Sequence, residues 1–188
     1  AGSGSRLHSP VVAGGVVYVD DATYSSTNAN VYALDATDGT TIWSTPANVD
    51  GYTGSSPALA DDTLYFTADG AVRAVNASNG NDRWSTTVCA GTEHAPVYAG
   101  GTVFIPLDDS TIRAYNASTG DLVWRYDAYY GESFAPAVVD GILYSAGLEY
   151  DVSGDPYPLL ALTGGQTGQE SPVFRYSGFG VSSTNVST

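Results

Sequence analysis

A motif recurs along this chain at intervals of about 40 residues, and such a period restricts the fold before any local pattern is considered. Three segments superimpose: Ala33-Leu-Asp-Ala-Thr-Asp-Gly39 leading to Trp43, Ala74-Val-Asn-Ala-Ser-Asn-Gly80 leading to Trp84, and Ala114-Tyr-Asn-Ala-Ser-Thr-Gly120 leading to Trp124. The tryptophans are spaced 41 and 40 residues apart. A second marker precedes each copy, at Ser9-Pro10, Ser56-Pro57 and Ala95-Pro96, and again at Ala135-Pro136. That last marker opens a degenerate fourth copy, Leu160-Ala-Leu-Thr-Gly-Gly-Gln-Thr-Gly168, with Phe174 in place of tryptophan.

Within each copy the apolar pattern has the period of a strand, and no stretch keeps a helical period. A short apolar strand follows the proline (Val11 to Ala13, Ala58 to Ala60, Val97 to Ala99, Ala137 to Val139). Gly14-Gly15, Asp61-Asp62, Gly100-Gly101 and Asp140-Gly141 then supply two-residue turns, leading into alternating strands at Val16 to Val19, Thr63 to Phe66, Thr102 to Ile105 and Ile142 to Ser145. The third strand runs into the Ala-Leu-Asp type segment, and Asp38-Gly39, Asn79-Gly80 or Thr119-Gly120 turns the chain into a fourth. Four strands per 40 residues predict an all-β protein, a β-propeller with four visible four-stranded blades. The expected blades lie near residues 9–50, 56–90, 95–130 and 135–177, within one propeller segment over 1–188. Residues 178–188 read as the start of another repeat or a closing tail.

Strand-Ala-x-Asp/Asn-Ala-x-x-Gly-x-x-x-Trp, preceded by Ser/Ala-Pro and a Gly-x-x-Tyr strand, resembles the PQQ-like propeller repeat. That repeat occurs in quinoprotein alcohol dehydrogenases and in a bacterial outer-membrane assembly lipoprotein. The resemblance covers nearly the whole chain. It implies that Trp43, Trp84 and Trp124 are structural, each docking between neighbouring blades against the glycine turn. It also implies seven or eight blades in a ring, which leaves three arrangements open: a closed four-bladed ring, half of an eight-bladed ring completed by a second chain, or part of a longer polypeptide. Ala1 in place of methionine fits a removed leader or such a longer polypeptide.

Composition narrows the function classes. Twenty acidic residues face six basic ones, all arginine, for a formal charge of −14. A surface of this sign repels a nucleic-acid backbone and anionic lipid, and no apolar run reaches the roughly 18 residues of a membrane span. Absence of lysine with abundant aspartate resembles the composition of proteins from extreme halophiles, whose surface repulsion is screened at molar salt. Cys89 is the sole cysteine, which excludes an internal disulfide and a thiolate zinc cluster.

In a meander, turns alternate between the two ends of each blade. One end carries short stereotyped turns. The other carries the irregular connections 20–30, 50–55, 90–95, 128–134 and 146–158, the usual place for binding on a rigid scaffold. His8, Ser55, His94 and Phe134 occupy equivalent positions at the entrance to each innermost strand. With Arg6, Tyr52, Glu93, Tyr129, Tyr130 and Glu132 nearby, they form the candidate binding set. His8, His94, Glu93 and Glu132 could surround a metal or polar ligand, although no tight ligand spacing links them, which favours solvated loop side chains. The acid pairs Asp20-Asp21, Asp61-Asp62 and Asp108-Asp109 match no calcium loop and read as solvated turns. Glu149, Asp151 and Asp155 are the better cation candidates, since their loop is long enough to wrap an ion. Asn76, Asn116 and Asn185 fit the N-glycosylation pattern, though the first two also suit the repeat's own turn.

Catalytic motifs are missing from the sequence. In the resembling dehydrogenases a quinone lies between a tryptophan and a vicinal disulfide beside calcium, and one cysteine cannot make that disulfide. The expected function is therefore a non-catalytic extracellular or cell-surface module, with no cofactor, binding a protein or surface glycan in a halophilic organism. A PQQ-dependent dehydrogenase fragment and a haloarchaeal virus spike for host attachment are the alternatives. Further blades from the same or a second chain are additional expected partners. The charge itself makes a prediction: the thermal unfolding midpoint, followed by circular dichroism, should rise steeply between dilute buffer and molar potassium chloride. Salt-independent melting would remove the halophilic reading.

Overall fold

A computed structural model describes residues 8–21, 29–47, 55–92, 94–127, 136–140, 142–145, 149–150, 156–157, 159–163, 172–176 and 181–182, with side chains as far as Ser145. The first blade is a meander of β1 (Val11–Ala13), β2 (Val16–Asp20), β3 (Asn30–Asp35) and β4 (Thr41–Pro46). The second repeats it with β5 (Ala58–Ala60), β6 (Thr63–Ala68), β7 (Ala71–Asn76) and β8 (Asp82–Thr87). The third does so with β9 (Val97–Ala99), β10 (Thr102–Leu107), β11 (Thr111–Asn116) and β12 (Leu122–Asp127). The fourth blade comprises β13 (Ala137–Val139), β14 (Ile142–Ser145), β17 (Leu159–Thr163) and β18 (Pro172–Tyr176). A fifth strand, β19 (Val181–Ser182), pairs antiparallel with β18. Between β14 and β17 the chain inserts a two-stranded ribbon, β15 (Glu149–Tyr150) with β16 (Pro156–Tyr157). Among the described residues there is no helix long and apolar enough to cross a membrane.

The expected propeller blades are thus present, and their register shows why the repeat is so constant. In every blade an alanine of the third strand faces the aromatic of the fourth: Ala33 with Trp43, Ala74 with Trp84, Ala114 with Trp124, Ala161 with Phe174. Immediately after that alanine the register shifts by a residue in all four sheets. A bulge at a fixed place sharpens the local twist and re-aims the aromatic, so a conserved spacing in sequence becomes a conserved orientation in space. The two-residue turns between first and second strands take left-handed conformations at both positions: φ 57° and 79° at Gly14-Gly15, 45° and 57° at Asp61-Asp62, 55° and 80° at Gly100-Gly101. This is the hairpin geometry that matches strand twist, and aspartate tolerates it better than most side-chain-bearing residues.

The chain divides into two compact units, Ala1–Pro96 with Ser118–Gly120, and Val97–Ala117 with Asp121–Thr188. In the first, Tyr18, Val31, Ala33, Trp43 and Ala47 of blade one share a core with Leu64, Phe66, Ala68, Val75 and Ala77 of blade two. Trp43 lies on the glycine turn of the second blade, where its indole Nε1 donates to the carbonyl of Ala77 at 2.8 Å. The Tyr18 hydroxyl donates to the same oxygen at 3.3 Å, and the Tyr18 and Trp43 rings tilt together at 6.0 Å. Arg73 ties the same joint: its guanidinium sits 5.3 Å from the centre of the Phe66 ring, donates to the Pro46 carbonyl and pairs with Asp82. Trp84 lies on Gly120 in the same way, which explains why the Ser118–Gly120 turn belongs to the first unit. In the second unit Phe104, Ile112, Ala114, Trp124, Tyr126 and Leu143 form the core.

Among the described residues, Gly80 and Gly120 are positions where only glycine fits. A Cβ at Gly80 would fall 2.6 Å from Cε3 of Trp43, and one at Gly120 would fall 2.6 Å from the Trp84 ring. Both residues also have positive φ, 73° and 77°. Gly80→Ala combines a clash with a left-handed side-chain-bearing residue and should lower stability by about 2–4 kcal/mol. Gly39→Ala, with φ 74° but no atom within 4 Å of the new Cβ, should cost only about 1–2 kcal/mol. Paired urea titrations measure the difference, and equal losses would mean that the indole does not define the turn.

Candidate functional site

At the entrance to the innermost strand, the candidate binding position, blades one and two share one kind of contact. His8 Nδ1 lies 2.8 Å from Oδ1 of Asp20, the last residue of β2. One blade on, the Ser55 hydroxyl accepts from the backbone N–H of Thr67 at 3.1 Å. Thr67 and Asp20 hold the same repeat position. In both cases the residue two before the proline fastens the entering chain to the end of the second strand. Asp20, Ser55 and Thr67 are each under 5% exposed, so these contacts are sheltered from water and correspondingly valuable.

Asp20 therefore departs from the expectation of a solvated acid pair. Its carboxylate is buried at 4% exposure against His8, while its neighbour Asp21 accepts from the Asn30 N–H at 2.6 Å and the Tyr32 hydroxyl at 2.9 Å. The Asp21 contact holds the Tyr32 phenol above its ordinary pKa. Asp61 and Asp62 are exposed in their turn. Asp109 accepts from the Thr111 N–H and hydroxyl and pairs with Arg113. The Asn and Asp of the repeat turn also work locally. Asp35 accepts from the Thr37 hydroxyl and N–H, which holds its carboxyl below the ordinary aspartate value, and Asn76 accepts from the Ser78 N–H and hydroxyl. The Asn76 side chain thus serves the turn itself, as Asp35 does at the equivalent position.

His94 donates its backbone N–H to the Thr92 hydroxyl at 3.0 Å. Glu149 is placed as the first residue of the inserted ribbon. Arg6, Tyr52, Glu93, Tyr129, Tyr130, Glu132, Phe134, Asp151 and Asp155 lie outside the described residues, as do Asn185 and most of the irregular connections. Among the described residues no three His, Cys, Asp or Glu side chains gather as metal ligands. Cys89 is exposed and is the sole cysteine of the sequence, so the vicinal disulfide implied by the dehydrogenase resemblance cannot form within it.

Sequence reasoning missed a groove of about 430 Å³ between blades one and two, bordered by Val16, Tyr18, Ile42, Trp43, Leu59 and Asp62. Its wall is the exposed edge of the tryptophan joint, a signal that the spacing of Trp43 and Gly80 carries only once the sheets are placed. Burial, then the nearby Asp62 charge, raises the pKa of the Tyr18 phenol, keeping its hydroxyl protonated on the Ala77 carbonyl.

A family model described as outer membrane protein assembly factor BamB matches residues 2–93 and 27–154. The chain belongs to the PQQ-like β-propeller family. Solved structures agree on the fold. Quinohemoprotein alcohol dehydrogenase ADHIIG from Pseudomonas putida HK5 superposes with a TM-score of 0.64 at 22% identity, over 86% of this chain and 33% of the enzyme. BamB from Moraxella catarrhalis does so with a TM-score of 0.59 at 22% identity, over 86% of this chain and 46% of BamB. The computationally designed Ika4 protein reaches 0.63 at 18% identity, over 87% of this chain and 94% of Ika4. The chain thus spans about a third of the enzyme and under half of BamB. Among proteins of curated function, none matches the sequence. The family's relatives include both an assembly factor and dehydrogenases.

The entrance contact makes its own prediction. His8→Ala should lower unfolding stability by about 1–3 kcal/mol, because it strips a hydrogen-bond partner from a buried carboxylate. Chemical denaturation checks it; a neutral substitution would return His8 to the status of a free loop side chain.

Proposed function

We propose that this chain is a non-catalytic protein-binding module that works outside the cytoplasm of a halophilic organism. The observation that carries the reading is the contrast between the short turns that join most strands and two long connections, β2 to β3 in blade one and β14 to β17 in blade four. The short turns include two-residue ones such as Gly14-Gly15, Asp61-Asp62 and Gly100-Gly101. The long connection of blade four carries the β15–β16 ribbon inserted between β14 and β17. Among the described residues that ribbon pairs only with itself. Two unpartnered strand edges offer backbone N–H and C=O groups to an extended segment of another protein, the physical basis of strand addition.

Membership in a family whose model describes an outer membrane protein assembly factor supports a protein as the bound species and a location outside the cytoplasm. The acidic, lysine-free sequence supports a high-salt solvent. A surface glycan is the other ligand class that the irregular loops suit.

Replacing residues 146–158 with a two-residue turn should lower capture of the partner from an envelope extract by at least about tenfold, while the melting profile is kept. Undiminished capture would remove the ribbon from the binding surface. Dye-linked alcohol oxidation by the full chain supplied with PQQ and calcium would overturn the non-catalytic reading.

A further inference from the structure

The repeat turn after the third strand keeps one position for three different copies of the same job. Asp35, Asn76 and Asn116 end that strand in blades one, two and three, and each is followed by alanine and then a hydroxyl residue, Thr37, Ser78 or Ser118. In blade one Asp35 Oδ1 accepts from the Thr37 N–H at 2.8 Å and from its hydroxyl at 2.5 Å. In blade two Asn76 Oδ1 accepts from the Ser78 N–H at 2.8 Å and from its hydroxyl at 2.6 Å. The turn therefore uses one oxygen, which a carboxylate and an amide both supply.

The amide nitrogen of Asn76 is left over. Among the described residues its Nδ2 donates to no acceptor. Nothing in the turn favours an amide over an acid, since the same hydrogen bonds hold the Asp35 carboxyl below the ordinary aspartate value and so welcome the charged form. Aspartate outnumbers asparagine 16 to 8 in this chain, yet asparagine stands at this position twice, each time two residues before a serine. The turn explains the oxygen but not the nitrogen.

Access fits a reaction at that nitrogen. Ala77 and Ala117, the middle residues, are 6% and 8% exposed, and the Ala77 carbonyl receives the Trp43 indole. Ser78, Asn116 and Ser118 are exposed, and Asn76 is half-buried. The buried alanine thus fixes the turn to its blade while an asparagine and a hydroxyl stay reachable beside it. We infer that Asn76 and Asn116 are acceptors of an N-linked glycan, each with the hydroxyl two residues on that the acceptor pattern requires. The inference rests on the reading that the protein works outside the cytoplasm. The donor is an oligosaccharide activated at its anomeric carbon by a lipid-borne phosphate. Nδ2 forms the new bond to that carbon, the carbon–oxygen bond to the phosphate breaks, and the phosphate leaves with the electron pair. The amide nitrogen gives one proton to a base of the transferase. Oδ1 is untouched, so both hydrogen bonds of the Asn76 turn survive the modification.

Trypsin, which cuts after arginine, releases residues 74–83 and 114–125 as peptides that carry one of these asparagines each. Mass spectrometry of the protein recovered from the cells that make it should find both peptides heavier by a saccharide. Asn76→Asp keeps the turn oxygen and should return the 74–83 peptide to its bare mass, with strand signal unchanged and the 114–125 peptide still heavier. Ser78→Ala should remove the same addition, and Ser78→Thr should retain it. Bare peptides in protein recovered from outside the cytoplasm overturn the inference and leave that location standing. Bare peptides in protein confined to the cytoplasm overturn both. A saccharide that persists on the 74–83 peptide in Asn76→Asp also overturns the inference, because the link is then not to the Asn76 amide.

Discussion

An indole ring resting on the α-carbon of a glycine in the next blade is the interaction from which the rest of this molecule follows. Trp43 can lie on Gly80 only because that residue lacks a Cβ, and it is oriented there by the hydrogen bond from Nε1 to the Ala77 carbonyl. A ring of this size removes a large apolar area from water while its one polar atom is satisfied, so burial carries no unpaired donor. The bulge after Ala33 aims the ring, the left-handed φ of Gly80 opens the space, and the Arg73 guanidinium closes the rim. Each element is local, and each is useless without the other blade.

This coupling explains why sheets of modest length stay packed against one another in so acidic a chain. Blade cores are aliphatic and aromatic, and most of the charge lies in turns: Asp61 and Asp62 between strands, Asp35 and Asp38 in Asx turns that cap the third strand. The Asp35 and Asp38 carboxylates serve the backbone first, accepting from N–H groups two residues on. Asp20 is the exception, drawn inside by His8. The overall charge thus sits where it shapes turns and meets solvent, which is consistent with a scaffold that leaves recognition to its irregular connections.

Much of the architecture was legible because a propeller repeats its chemistry in register. The first strands, at Val11–Ala13, Ala58–Ala60, Val97–Ala99 and Ala137–Val139, coincide with the apolar triplets after each proline marker. The second strands extend further than alternation suggested, to Asp20, Ala68 and Leu107, since pairing with the third strand continues past the last alternating position. The entrance residues were less legible. His8 and Ser55 share a position and a task, but only the distances to Asp20 and Thr67 disclose it, because the partners lie 12 residues away and differ in chemistry. The β15–β16 ribbon carries no repeat signal, whereas β19 falls where the sequence reads as the start of another repeat or a closing tail.

Sequence by itself determined the blade: its four strands, its two-residue turns, the alanine that faces each aromatic and the glycine that receives one. These depend on interactions within some forty residues, and a period repeated four times averages away local ambiguity. Tertiary structure alone decided which faces are covered. Val17 and Leu64 read alike in the sequence, as apolar residues on a second strand, yet one is half-buried and the other has no exposed surface. Gly39 and Gly80 likewise share a motif and a backbone conformation, and only one of them holds a ring. Burial depends on what stands beside a sheet, and a repeat cannot encode its own neighbour.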